Sequence, residues 1–156
     1  MMFVDANIFI KWMAAKKRLS ITEAICGYIL QKIVWGEKAI TSSLVKDEVL
    51  IWLSRYRKPA LEKFLMSIRM MPTLKIINPT LEDQENAVKM YGRYPLGLSD
   101  LINLSLIRRL RLEGIYTTDN GFKNTNIRVI FDELTKEENF SVFIKRLEKN
   151  GYRFRD

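Results

Sequence analysis

Four acidic residues stand where carboxylates could do chemistry. Asp5 ends the apolar run Met1–Val4, and helical spacing begins at once with Ile8, Phe9 and Ile10, up to Met13. That pattern predicts a buried strand that delivers one carboxylate to a sheet edge. Open α/β sheets bind ligands at the carboxyl ends of their strands, near the point where strand order reverses. Taken alone, Asp5-Ala6-Asn7 is also the ordinary chemistry of a turn that caps a helix. Glu48 falls early in a helix begun at Ser42-Ser43, inside the apolar arc of Val45, Val49, Trp52 and Leu53, whereas its neighbour Asp47 falls on the opposite side. An acid on the apolar side of a helix is costly unless it is paired, liganded or open to a cleft. Asp100 sits in the first turn of the very apolar stretch Leu101–Leu112, where a helix favours negative charge anyway, and Asp119 belongs to the turn Asp119-Asn120-Gly121-Phe122. Each has a bland reading by itself.

Composition limits what these acids can be doing. The 156 residues contain no histidine and a single cysteine, Cys26, which lies among Ile25, Ile29 and Ile33. Ser-His and Cys-His catalysis and imidazole-bound zinc are therefore excluded, and any metal must be held by oxygen, which suits Mg²⁺ or Mn²⁺. Cys26 reads as core. The net charge of +8 asks for a polyanionic partner, and nucleic acid fits it better than an acidic small molecule. With 47% hydrophobic and 11% aromatic residues, the chain is expected to fold as one domain over residues 1–156. No apolar run is long enough to span a bilayer and the opening run carries an acid, so a cytoplasmic protein with no membrane association is expected.

The elements that must position the acids alternate between strand and helix. Strands are expected at the start of the chain, at Ala39–Thr41, Leu74–Ile77, Gly114–Thr118 and Ile127–Phe131. Between them, Ser20-Ile21-Thr22-Glu23 is a capping box opening a helix that Gly36 ends, and the helix from Ser42 stops before Pro59. Ala60–Met70 and a helix from Thr80 to about Tyr91 follow, then the irregular loop Arg93–Leu98. Thr135-Lys136-Glu137-Glu138 reads as a second capping box for a last amphipathic helix. The tail Tyr152–Arg155 interleaves aromatic and basic residues and reads as a packed or frayed terminus sooner than an RNA contact, and Lys16, Lys17 and Arg18 read as a solvated loop. Such alternation predicts a three-layer α/β/α fold with a mostly parallel five-stranded sheet and right-handed crossovers. All the strands then end at one edge, and the four acids converge there.

In this order and spacing the chain resembles the PIN-domain nucleases, a family of Mg²⁺- or Mn²⁺-dependent ribonucleases that includes VapC-like toxins of prokaryotic toxin-antitoxin pairs. Phe3-Val4-Asp5-Ala6-Asn7, Thr41-Ser42-Ser43 through Glu48, Leu98-Ser99-Asp100-Leu101-Ile102-Asn103 and Thr117-Thr118-Asp119-Asn120-Gly121-Phe122 resemble its four acidic motifs. The resemblance implies a PIN-like strand order 3-2-1-4-5, which brings Asp5 and Asp119 together. It also implies that Asp5, Asp100 and Asp119 ligate Mg²⁺ or Mn²⁺, that Glu48 is a further ligand or orients water, and that Asn7, Asn103 and Thr117 hold carboxylate rotamers or touch substrate. The activity implied is hydrolysis of RNA phosphodiester bonds, with a small antitoxin as possible partner and a homodimer as the expected assembly. Alternatives are a housekeeping RNA-processing nuclease and a catalytically silent RNA-binding module. A haloacid-dehalogenase-like phosphatase is rejected because its second Asp is Asn7 here, and a receiver domain because Asn78-Pro79 replaces its phosphorylated acid.

Overall fold

A computed structural model describes residues 1–155 of the chain. Strand β1 (Met2–Val4) is buried at every residue, as are β3 (Ala39–Ser42) and β5 (Gly114–Tyr116), whereas β4 (Leu74–Ile77) and β6 (Arg128–Ile130) are partly exposed. The reason is position: in the five-stranded sheet the order is β4-β3-β1-β5-β6, every neighbouring pair is parallel, and the three apolar strands are the inner ones. Counted within the sheet, this is the expected order 3-2-1-4-5. The fold is α/β and PIN-like.

The helices follow the crossovers. Helix α1 (Ala6–Ala14) packs on α2 (Ile21–Val34), α3 (Ser43–Tyr56) and α4 (Ala60–Arg69), while α5 (Leu81–Met90) and α6 (Leu98–Arg109) pack on each other. The walk through the sheet runs outward from β1 to β4 and then returns to β5, so right-handed crossovers place these two groups on opposite faces. Helix α7 (Glu138–Lys149) closes the first group against α2. One buried cluster joins the sheet to both groups, from Met2 to Leu147, and Cys26 is part of it.

Local chemistry sets most of the boundaries. Ser20 caps α2 in a reciprocal box with Glu23, and Thr80 and Asp83 do the same for α5. Asp83 is buried beneath Arg109, which holds it through Nε and Nη2 at 3.0 and 2.9 Å. Burial works against its charge, but the Arg109 and Thr80 hydrogen bonds win and hold it below the usual carboxylate range. Two expectations need correction. Thr135 to Glu138 is not a capping box: residues 132–136 form a 3₁₀ turn in which Thr135 donates to the Asp132 carbonyl, and α7 begins without a side-chain cap. The competing interaction is tertiary, because Glu137 accepts hydrogen bonds from Tyr28 at 2.7 Å and Lys32 at 3.0 Å. The strand expected over Gly114–Thr118 ends at Tyr116, because Thr117 and Thr118 leave the ladder to bond Asp5 and Asn7.

The tail is packed. A short strand β7 (Arg153–Phe154) pairs with β2 (Arg18–Leu19), and the Tyr152 ring stacks on Trp12 at 5.9 Å. Trp12 in turn packs closely against Gly27 of α2, where a methyl group would sit 2.5 Å from two indole carbons. Glycine is there for close approach. In an open helix Gly→Ala stabilises by about 1 kcal/mol, so Gly27→Ala tests the contact by reversing the sign. It should destabilise the protein by about 1–3 kcal/mol, the usual cost of overpacking, in a denaturant melt. A stabilised Gly27→Ala protein would show that Trp12 does not rest on that helix.

Candidate active site

Asp5 is the first residue after β1 and the N-cap of α1, its Oδ1 accepting from the Ala6 amide at 2.8 Å. Its Oδ2 accepts from the Thr117 hydroxyl at 2.7 Å and from Asn7 Nδ2 at 3.1 Å. Thr117 is the first residue after β5, so one hydroxyl ties together the ends of the two strands at which sheet order reverses. The same Thr117 oxygen accepts from Asn7 Nδ2 at 3.1 Å and from the Asp119 amide at 3.0 Å, and Asn7 Oδ1 accepts from the Thr118 amide at 3.1 Å. Asp119 turns Oδ1 onto the Gly121 amide at 2.8 Å. A side chain at Gly121 would meet Leu96 at 2.6 Å and the Pro95 carbonyl at 2.7 Å, so glycine lets the loop before α6 close over this turn.

Glu48 projects from α3 and Asp100 from the first turn of α6. With Asp5 and Asp119 they line one pocket of about 490 Å³, along with Asn7, Lys11 and others. Helical phase separates Glu48 from Asp47, which is exposed and paired with Lys46 at 3.3 Å. The pocket shows in the electrostatics. Burial, with the Glu48 and Asp119 charges adding to it against the Thr117 and Ala6 hydrogen bonds, pushes Asp5 up to about 6. Burial and then the charges of Asp5, Asp119 and Glu48 push Asp100 up to about 7. Asn103 is placed differently: it is buried and accepts a hydrogen bond from Ser42 at 2.7 Å, joining α6 to the cap of α3 outside the pocket lining.

Residues 2–127 match the model of the PIN domain family. The chain belongs to that family. Solved structures share the fold. The toxin VapC20 of Mycobacterium tuberculosis, described as cleaving the sarcin-ricin loop, is 15% identical, with 84% of this chain and 99% of that one covered at a TM-score of 0.67. A Klebsiella pneumoniae toxin-antitoxin complex is 21% identical, covering 83% of this chain and 96% of that one at 0.62. VapBC2 of Rickettsia felis, bound to a DNA fragment from its promoter, is 17% identical, covering 85% and 100% at 0.60. Comparison with curated proteins gives no match.

PIN nucleases generally use divalent metal ions, and the donor set of this PIN domain fits a hard cation, being carboxylate and amide oxygen without imidazole. Among the described residues no three acidic side chains are grouped tightly enough to clasp an ion as they stand. Asp5 is turned toward Ala6, Asn7 and Thr117, and Asp119 toward Gly121, so ligation would need side-chain rotation among these acids. Lys11, Trp52 and Glu23 also line the pocket and were missed in the sequence. Lys11 was findable: it follows Asn7 by one helical turn on the same face of α1. Glu23 was not, because its capping role is complete without the pocket, and Arg155 of the tail reaches it at 2.7 Å.

The raised carboxylates fix a sign for pH dependence. An acid whose pKa is higher folded than unfolded leaves stability intact below its unfolded value and removes it as pH rises through the folded value. Metal-free protein should therefore melt lower at pH 8 than at pH 5, a window in which the lowered, paired carboxylates such as Asp83 and Glu137 stay ionised. Asp100→Asn should shrink that difference and raise the melting temperature at pH 8. Equal pH profiles for the two proteins in EDTA would refute a repelling acid cluster.

Proposed function

We propose that this PIN domain is a Mg²⁺- or Mn²⁺-dependent endoribonuclease, the toxin of a type II toxin-antitoxin pair, with residues 1–156 forming one nuclease domain. The observation that carries the reading is the convergence of Asp5, Glu48, Asp100 and Asp119, from four separate segments, on one pocket without histidine. Asp5, Asp100 and Asp119 would hold the cation, with Glu48 as a further ligand or as the group that orients water. When bound, the cation supplies a more acidic water and offsets charge on phosphate oxygens. Thr117 and Asn7 keep the Asp5 carboxylate in one rotamer, Asn103 acts at a distance by holding Ser42, and Lys11 places a positive charge beside the acids for a phosphate to meet.

Support for RNA as substrate comes from the net charge of +8, and support for a small antitoxin partner from the solved toxin-antitoxin complexes that share the fold. Among the described residues no helix is long and apolar enough to cross a membrane, in keeping with a cytoplasmic nuclease. A homodimer is favoured by exposed apolar side chains: Leu81 and Val88 on α5 with Tyr91 just after it, and Leu65 and Met66 on α4 with Met70 just after it. Phe64 and Met71, grouped with the latter in the sequence, are buried in the core instead.

Purified protein should cut single-stranded RNA with Mn²⁺ or Mg²⁺ and stop in EDTA; equal cutting in EDTA would remove the metal from the reading. Glu48→Gln should lose about 100-fold or more of the activity while Asp47→Asn keeps it, since only Glu48 faces the pocket. Equal losses would assign the helix face wrongly. Light scattering at micromolar concentration should give twice the 18.4 kDa chain mass, and a monomer mass would rule out the dimer.

A further inference from the structure

A second pocket, of about 800 Å³, adjoins the acid pocket, and Asp119 lines both. Its apolar lining is Val129 of the edge strand β6 with Ile127 just before that strand and Phe131 just after it. Lys123, Arg128 and Lys136 also line it, all exposed and without an ion-pair partner among the described residues. Thr118 and Asn120 add side-chain donors and acceptors beside Asp119. The lining also holds Asp132 and Glu133, the latter accepting from the Phe131 amide at 2.6 Å. Three cations and three carboxylates cancel, so the interior is no phosphate hole. A nearly neutral cavity with one aromatic side chain, polar groups and exposed lysines complements a nucleotide: base inside, phosphates at the lysines.

We infer that this pocket seats one nucleobase of a single-stranded RNA, next to the phosphate that reaches the acid pocket. The inference rests on the nuclease reading for its substrate and extends it by naming Phe131 as the stacking residue and Lys123 and Lys136 as phosphate contacts. Nothing in the motif spacing marks these residues, since they lie beyond or at the end of the four acidic segments. Stacking is sequence-tolerant and each stacked base strengthens binding by roughly tenfold.

The test uses the full chain with Asp100→Asn to suppress cleavage, and two fluorescein-labelled 12-mers: a randomised single-stranded RNA pool and an abasic strand with the same phosphates. The Asp100→Asn protein should bind the pool about tenfold more tightly than the abasic strand. Adding Phe131→Leu, which keeps apolar contact with the core, should bring the two within about twofold, and Phe131→Tyr should restore the preference. Lys136→Gln should weaken both strands alike and reduce the slope of log Kd against log salt by about 0.7. A base preference that persists unchanged in Phe131→Leu overturns the pocket, as does absence of RNA binding. Failure of the nuclease reading is seen separately: wild-type protein that never cuts RNA with Mn²⁺, yet prefers bases through Phe131, refutes the nuclease and retains the pocket.

Discussion

The site depends on the register between β1 and β5. The two strands pair Met2 with Gly114, Phe3 with Ile115 and Val4 with Tyr116, and the Asp5 amide continues the ladder onto the Tyr116 carbonyl at 3.1 Å. A slip of one residue would turn every side chain of β1 to the other face and carry Asp5 away from Thr117. The register is strongly specified because both strands are buried on both faces and a slip would bury polar groups without partners. At the end of the ladder the chain has no further strand bonds to make. Thr117, Asn7 and Asp119 satisfy one another instead, and the carboxylate becomes fixed as a consequence of the backbone pairing that ends beside it.

The acids around this point are arranged against their own stability. Two of them are held well above the usual carboxylate range, and burial is the larger cause for each. Burial alone would be relieved by turning a side chain outward, but Asp5 is pinned by three hydrogen bonds and Asp100 is carried by a helix whose next residue, Leu101, is fully buried. The rest of the fold absorbs the cost through a continuous core and well-made caps such as Ser20 with Glu23. This is the pattern expected of a site organised for a cation or for chemistry, in which local strain is offset elsewhere. Asp83 with Arg109 is the contrasting case: also buried, but paired, and held below the usual range.

The division between what was legible in the chain and what was not follows the range of the forces. Strand and helix alternation, the apolar inner strands, the caps at Ser20 and Thr80 and the inward phase of Glu48 against Asp47 all follow from residues within a few positions of one another, so the sequence by itself determined them. Strand order followed as well, with the family resemblance, because alternating elements and right-handed crossovers leave few topologies. Tertiary structure decided what depends on partners far along the chain, 61 residues off for Asn103 and more than a hundred for Glu137 and Thr117. Thr135 does not take the capping role its local motif suggests, in a segment where Glu137 is held by Tyr28 and Lys32, and β5 ends before Thr117, whose hydroxyl donates to Asp5 and accepts from Asn7. The tail is packed because Tyr152 stacks on Trp12 and β7 pairs with β2, and Asn103 went to Ser42 and not to the pocket. Where a polar side chain has both local and distant groups to bond, only the packed core decides which of them is within hydrogen-bonding distance.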